Sequence, residues 1–142
     1  MTPARKALES IEEARSQVGR LRRSVQQLQS KCTGGVSNYS GMPTGHRADH
    51  PALWDTLAER KTLLEEQEKQ LRELEDKMEG LIDLLPHPRW RMVLRCHYMD
   101  SMELPDVAQE LTKSTGREFT MNQIYRFHRK ALDAADELWH LN

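Results

Sequence analysis

Residues Phe119–Leu132 read FTMNQIYRFHRKAL, and the rest of the chain is best understood outward from them. Thr120 stands where a helix N-cap belongs, and Gln123 follows at the three-residue spacing of a capping box. Phe119 before the cap and Ile124 four residues after it have the spacing of a hydrophobic staple. Beyond them Ile124, Phe127, His128, Ala131, Ala135 and Leu138 share one face of a predicted helix. Asn122, Arg126, Arg129, Lys130 and Asp133 take the other. Amide and guanidinium groups displayed at a fixed helix start, beside a cationic flank, suit a helix that reads DNA. Asn and Arg make bidentate contacts to base edges, and Arg and Lys also hold phosphates. An amphipathic surface helix with no such role has the same periodicity.

The composition bounds what surrounds this stretch. In 142 residues, 30% are charged and 6% aromatic, which favours long exposed helices over a thick core. The formal net charge is −1, so any nucleic-acid binding must come from a local patch. Cys32 and Cys96 are far apart and form no CxxC, which indicates neither a disulfide framework nor a zinc ribbon. The first residues carry no apolar run of signal-peptide type, and no stretch reaches the length of a membrane span. A cytoplasmic setting is expected.

Upstream the chain keeps a seven-residue rhythm. Ala4, Ile11, Val18, Val25 and Cys32 recur every seventh residue, and Ala7, Ala14, Leu21 and Leu28 follow three positions later. The alanines at the start of this seam predict close but weaker contact there. Leu57, Leu64, Leu71, Met78 and Leu85 repeat in the same way, with Leu53, Leu74 and Leu81 as companions and Arg60 and Gln67 as polar interruptions. Glu65–Lys69, Glu68–Arg72 and Glu73–Lys77 have the spacing of supporting ion pairs. The first helix has seven basic residues against three acidic, whereas Pro51–Leu84 has five against ten. Opposite charge favours pairing within the chain, as an antiparallel coiled-coil hairpin, over a dimer that sets like helices together. A homodimer of two hairpins is compatible with the same pattern. Between the helices, residues 33–50 read as a flexible loop, with Asp49 and Pro51 placed to open the second helix. His46 and His50 are four apart in that loop, too few ligands in too mobile a setting to expect a metal.

Pro86 and Pro88 end the long helix, and a new pattern begins at Arg89. Trp90, Val93, Leu94, Tyr98 and Met99 predict a helix of about three turns. Leu104, Val107, Ala108 and Leu111 predict a shorter one, with Pro105 tolerated in its first turn. The connector TKSTGRE then leads to the capped helix. Two short helices and a displayed third compose a helix-turn-helix unit in which Ala108 is the small crossing residue. The expected fold is therefore all-α, an N-terminal antiparallel coiled-coil hairpin over residues 1–85 and a helix-turn-helix domain over 86–142.

RCHYMDSMELPDVAQEL followed by QIYRFHRKAL resembles region 4 of bacterial sigma factors, and more closely the sigma-like regulators of phages and prophages of the ArpU and RinA type. The resemblance spans roughly Leu85 to Leu138. It sets Tyr98 and Asp100 before the turn, Val107 and Ala108 at the start of the helix-turn-helix, and Ile124, His128, Ala131 and Leu132 in the recognition helix. It implies a transcriptional regulator whose partners are double-stranded DNA and RNA polymerase. By the same resemblance Asn122, Gln123 and Arg126 lie nearest base edges, and Arg129, Lys130 and Tyr125 near phosphates, with Thr120 opening the DNA-binding segment. Gln123 folded onto its cap could not also read a base, which gives Asn122 and Arg126 the greater weight. Two departures stand out. The turn over 112–119 is longer than in the family, with Ser114–Glu118 as an insert, and Glu103 occupies the place of a capping serine. Lys113 and Arg117 in that turn are further candidates for phosphates, or simply solvated. His128 is expected to be packed and hydrogen-bonded, and Trp139 and His140 to cover the core.

Two other classes fit the same features. A DNA-packaging protein of the small terminase type also joins a helix-turn-helix to a helical oligomerisation region, and a coiled-coil interaction protein need bind no DNA. An enzyme is not expected. The carboxylates lie on heptad faces, the histidines lack a nucleophile partner, and Thr33-Gly34-Gly35 lacks the lysine of a phosphate-binding loop. No cofactor is implied.

Overall fold

The computed structural model describes residues 2–34 and 51–141, and among them every regular element is helical. The α-helices are α1 (Pro3–Gln29), α2 (Pro51–Asp83), α3 (Pro88–Leu94), α4 (Leu104–Thr115) and α5 (Met121–Leu141). Wider π-type turns, Ser30–Gly34 and Arg95–Met99, extend α1 and α3. No described helix is long and apolar enough to cross a membrane. Most of the loop expected over 33–50, with Asp49, His46 and His50, lies outside the described residues. The chain divides into two compact units, residues 14–70 and residues 1–13 with 71–142.

The unit 14–70 is a two-helix seam. Val25, Leu28 and Cys32 bury against Leu57, and Leu53 and Leu64 pack on them half-covered. All are heptad positions, so the rhythm reports the packing directly. Arg22 reaches Glu68 at 2.9 Å, and Arg60 donates to the Ser24 hydroxyl at 2.5 Å. The polar interruption at Arg60 is thus satisfied by a hydroxyl from α1. The expected intrahelical pair Glu68–Arg72 does not close, because the Glu68 carboxylate turns to Arg22 instead. A bridge across helices fixes two elements where an i, i+4 pair would fix one.

The unit of residues 1–13 and 71–142 is a many-helix core. Ala4, Leu8 and Ile11 meet Met78, Ile82 and Leu85 from α2 and its end, together with Leu94, Tyr98, Ala131, Leu132 and Ala135. The seam was expected to be weaker at its alanine end. The contact there is close, with Ala4 0% and Leu8 1% exposed. The small Ala4 permits close approach, and Leu8, outside the a and d rows, fills the space beside it. The Ala4 amide donates to the Asp136 carboxylate at 3.0 Å, which satisfies one of the free donors at the start of α1 from the far end of the sequence. Lys77 lies 4.1 Å from the Trp139 ring centroid, so its expected pairing with Glu73 gives way to a cation–π contact. Trp139 covers the core as expected. His140 does not: it is exposed.

A second cluster in this unit positions α5. Val93, Cys96, Val107, Leu111 and Ile124 are buried together, with Ala108, Phe119 and Phe127 packed on them. After α3 the chain turns through Ser101 at a φ of 57°, and the Met102 amide returns to the Cys96 carbonyl at 2.9 Å. The Glu103 side chain makes no capping bond, and its carbonyl alone starts α4 by accepting from the amides of Asp106 and Val107. Half of the turn expected over 112–119 is helix. α4 runs on to Thr115, with the Thr112 and Thr115 hydroxyls donating to the carbonyls of Ala108 and Leu111 at 3.0 and 2.7 Å. Gly116 then stops it at a φ of 75°, its amide bonded to the Thr112 carbonyl at 2.9 Å. The apparent insert therefore divides between an extra stretch of α4 and a short connector that ends at Thr120.

Candidate nucleic-acid interface

The start of α5 is fixed as its sequence predicts. The Thr120 amide donates to Gln123 Oε1 at 2.9 Å, and the Gln123 amide donates to Thr120 Oγ1 at 3.2 Å. Both halves of the capping box are closed. Gln123 Oε1 is thereby committed to the backbone, which leaves only its Nε2 as a donor. Phe119 and Ile124 join the same buried cluster, and the Phe119 and Phe127 rings meet edge to face with centroids 5.8 Å apart.

Inward, Ile124, Ala131, Leu132 and Ala135 are buried, and Phe127 and His128 half-buried. Outward, Asn122, Tyr125, Arg126, Arg129 and Lys130 are all exposed, Tyr125 by 53% of its surface. Asn122, Arg126 and Arg129 follow the i, i+4, i+7 spacing of a single strip. Met121–Lys130 contains three Arg or Lys side chains and no acidic one; the acids of α5 begin at Asp133. Lys113 and Arg117 are exposed at the end of α4 and just beyond it.

Beside this strip the structure brings in residues that the sequence did not mark. Arg126 and Lys130 face a groove of about 620 Å³ whose opposite wall carries His87, Arg89 and Trp90. The Trp90 and His87 rings pack with centroids 4.3 Å apart. The Arg89 guanidinium lies 5.2 Å from the Phe119 centroid and 6.0 Å from that of Phe127. An arginine held by aromatic faces is positioned without being neutralised. The sequence signal was slight: Arg89 opens the α3 pattern, but nothing in linear spacing joins it to Phe119.

Behind the strip, His128 Nε2 and the Tyr98 hydroxyl share a hydrogen bond of 2.8 Å. The His97 ring stands edge-on to His128 at 5.3 Å and donates from Nδ1 to the Met102 carbonyl at 2.7 Å. Burial first, then His97 and Arg5, push His128 down to about 4, and burial pushes Tyr98 up to about 12. Near neutral pH both are therefore uncharged. His128 packs behind the exposed strip and does not belong to it. No family model, no curated protein and no solved structure matches the chain.

Proposed function

We propose that this protein is a sequence-specific regulator of transcription, of phage or prophage type, that binds duplex DNA. In this reading α4 and α5 form a helix-turn-helix, and α5 enters the major groove with its capped end leading. Asn122 and Arg126 read base edges, while Arg129 and Lys130, with Tyr125 beside them, hold phosphates. The observation that carries the reading is the exposed, acid-free strip from Asn122 to Lys130 on a helix whose start is closed on both sides by Thr120 and Gln123. The contacts Arg22–Glu68 and Arg60–Ser24 join rising numbers in α1 to falling numbers in α2, which supports an antiparallel hairpin upstream. RNA polymerase is the second partner that the sequence resemblance implies.

The test is selection of bound duplexes from a random pool at low and near-physiological salt, with wild type beside Arg126→Ala and Lys130→Ala. Wild type is expected to enrich one motif. Arg126→Ala should lose about 1–3 kcal/mol and blur that motif, whereas Lys130→Ala should weaken all sequences alike and flatten the salt dependence. Absence of enrichment at either salt would overturn autonomous reading. A defined ring in solution would instead favour the packaging protein.

A further inference from the structure

We propose that the groove between the start of α3 and α5 is a binding site for a small phosphorylated aromatic compound, a nucleoside monophosphate by chemical class. Its occupancy competes with DNA for Arg126 and Lys130; only this competition rests on the function proposed above. Arg89, Arg126 and Lys130 line one recess of about 620 Å³, and no carboxylate lines it with them. None of the three has an ion-pair partner among the described residues. Like charges gathered at one recess repel, and an anion set among them relieves that repulsion. The remaining walls come from His87, Pro88 and Thr115 and from the half-buried rings of Trp90 and Phe127. A simple anion would satisfy the cations and add nothing to the open parts of these rings, which His87, Phe119 and Arg89 cover only in part. A base carried on the same molecule as the phosphate would cover them, since every base has a face that stacks on an aromatic side chain. The volume lies within the range of small-ligand sites. Duplex DNA keeps its bases paired and stacked inside and offers mainly phosphates to a recess flanking the recognition helix, so it meets only half of this chemistry.

The experiment titrates the full chain with adenosine monophosphate, inorganic phosphate and adenosine, following the indole NMR signals of Trp54, Trp90 and Trp139, assigned through Trp90→Phe. Adenosine monophosphate is expected to shift the Trp90 signal and leave Trp54 in place, at concentrations about tenfold below those needed with phosphate or adenosine alone. Arg89→Gln should weaken this binding by about tenfold. Because Arg89 also packs on two rings, Lys130→Gln, which removes an exposed side chain, provides an independent loss. Silence at Trp90 up to about 10 mM of all three compounds would overturn the site. Equal binding of phosphate and the monophosphate would overturn it too, by reducing it to an anion contact. With a selected duplex in hand, the monophosphate should displace it; retention of that duplex on a protein with the groove filled would sink the competition and leave the site. The titration decides the groove even if no duplex is ever selected.

Discussion

The two compact units share a seven-residue rhythm and use it differently. Among the described residues of 14–70 the buried positions are Val18, Val25, Leu28, Cys32 and Leu57, all on the heptad rows. In residues 1–13 with 71–142 the same rows are joined by Leu8 and Ile82, which lie off them and are 1% and 0% exposed. A two-helix seam covers a narrow stripe, whereas a helix among several neighbours needs a wider one. The rhythm thus says where a helix is apolar. The off-row residues say how many neighbours it has.

The contrast can be broken most directly at Leu8. Leu8→Ala is expected to cost about 2–5 kcal/mol in denaturant unfolding, and more than Val18→Ala in the other unit, because the larger cavity opens inside a many-helix core. Equal losses would mean that α1 is held alike along its length. Next comes acid. His128 is held near 4 against an ordinary 6.5, so the unfolded chain takes up its proton first as pH falls. Stability should be full above about 6.5 and decline toward 4, with His128→Gln flattening that interval in melting curves. Partial exposure of the ring reduces the share below what the full shift implies. At the connector, Gly116→Ala should cost about 1–2 kcal/mol by forcing a side chain into the left-handed region. Thr120→Ala should cost about 1 kcal/mol and fray the start of α5, visible as faster amide exchange at Gln123. The smallest effect belongs to the other unit: Arg22→Ala should cost about 0–1 kcal/mol and vanish in high salt, since Arg22–Glu68 is a surface bridge.

What was legible in the sequence were features set by near neighbours in the chain. Thr120, Gln123, Phe119 and Ile124 lie within one helical turn and its approach, so their capping and stapling could be read from spacing. The heptad rows likewise depend only on period. The full length of α4 is not legible because threonines and a serine read as a loop, whereas the hydroxyls of Thr112 and Thr115 bond back to carbonyls one turn earlier within α4. Ion pairs are not legible from spacing because a long side chain chooses among partners that only the fold supplies, as Glu68 chooses Arg22 and Lys77 chooses the Trp139 ring. The groove was invisible for the same reason. Arg89 and Lys130 are far apart in sequence, and no periodicity connects them.

The bond from the Ala4 amide to Asp136 spans 132 positions of sequence. It sets an order of events during synthesis. The two sides of the local seam, Val25, Leu28 and Cys32 against Leu53, Leu57 and Leu64, have both left the ribosome by the time Gln70 has emerged. The core that contains Ala4, Leu8 and Ile11 is complete only once Ala131, Leu132 and Ala135 have followed Met78, Ile82 and Leu85. Folding of that core is therefore late, dominated by long-range contacts, and slower than formation of the local seam. Until then the side of that core which Ala131, Leu132 and Ala135 cover stays open, and a nascent chain stalled before Ala131 should be more prone to capture by chaperones than the finished fold.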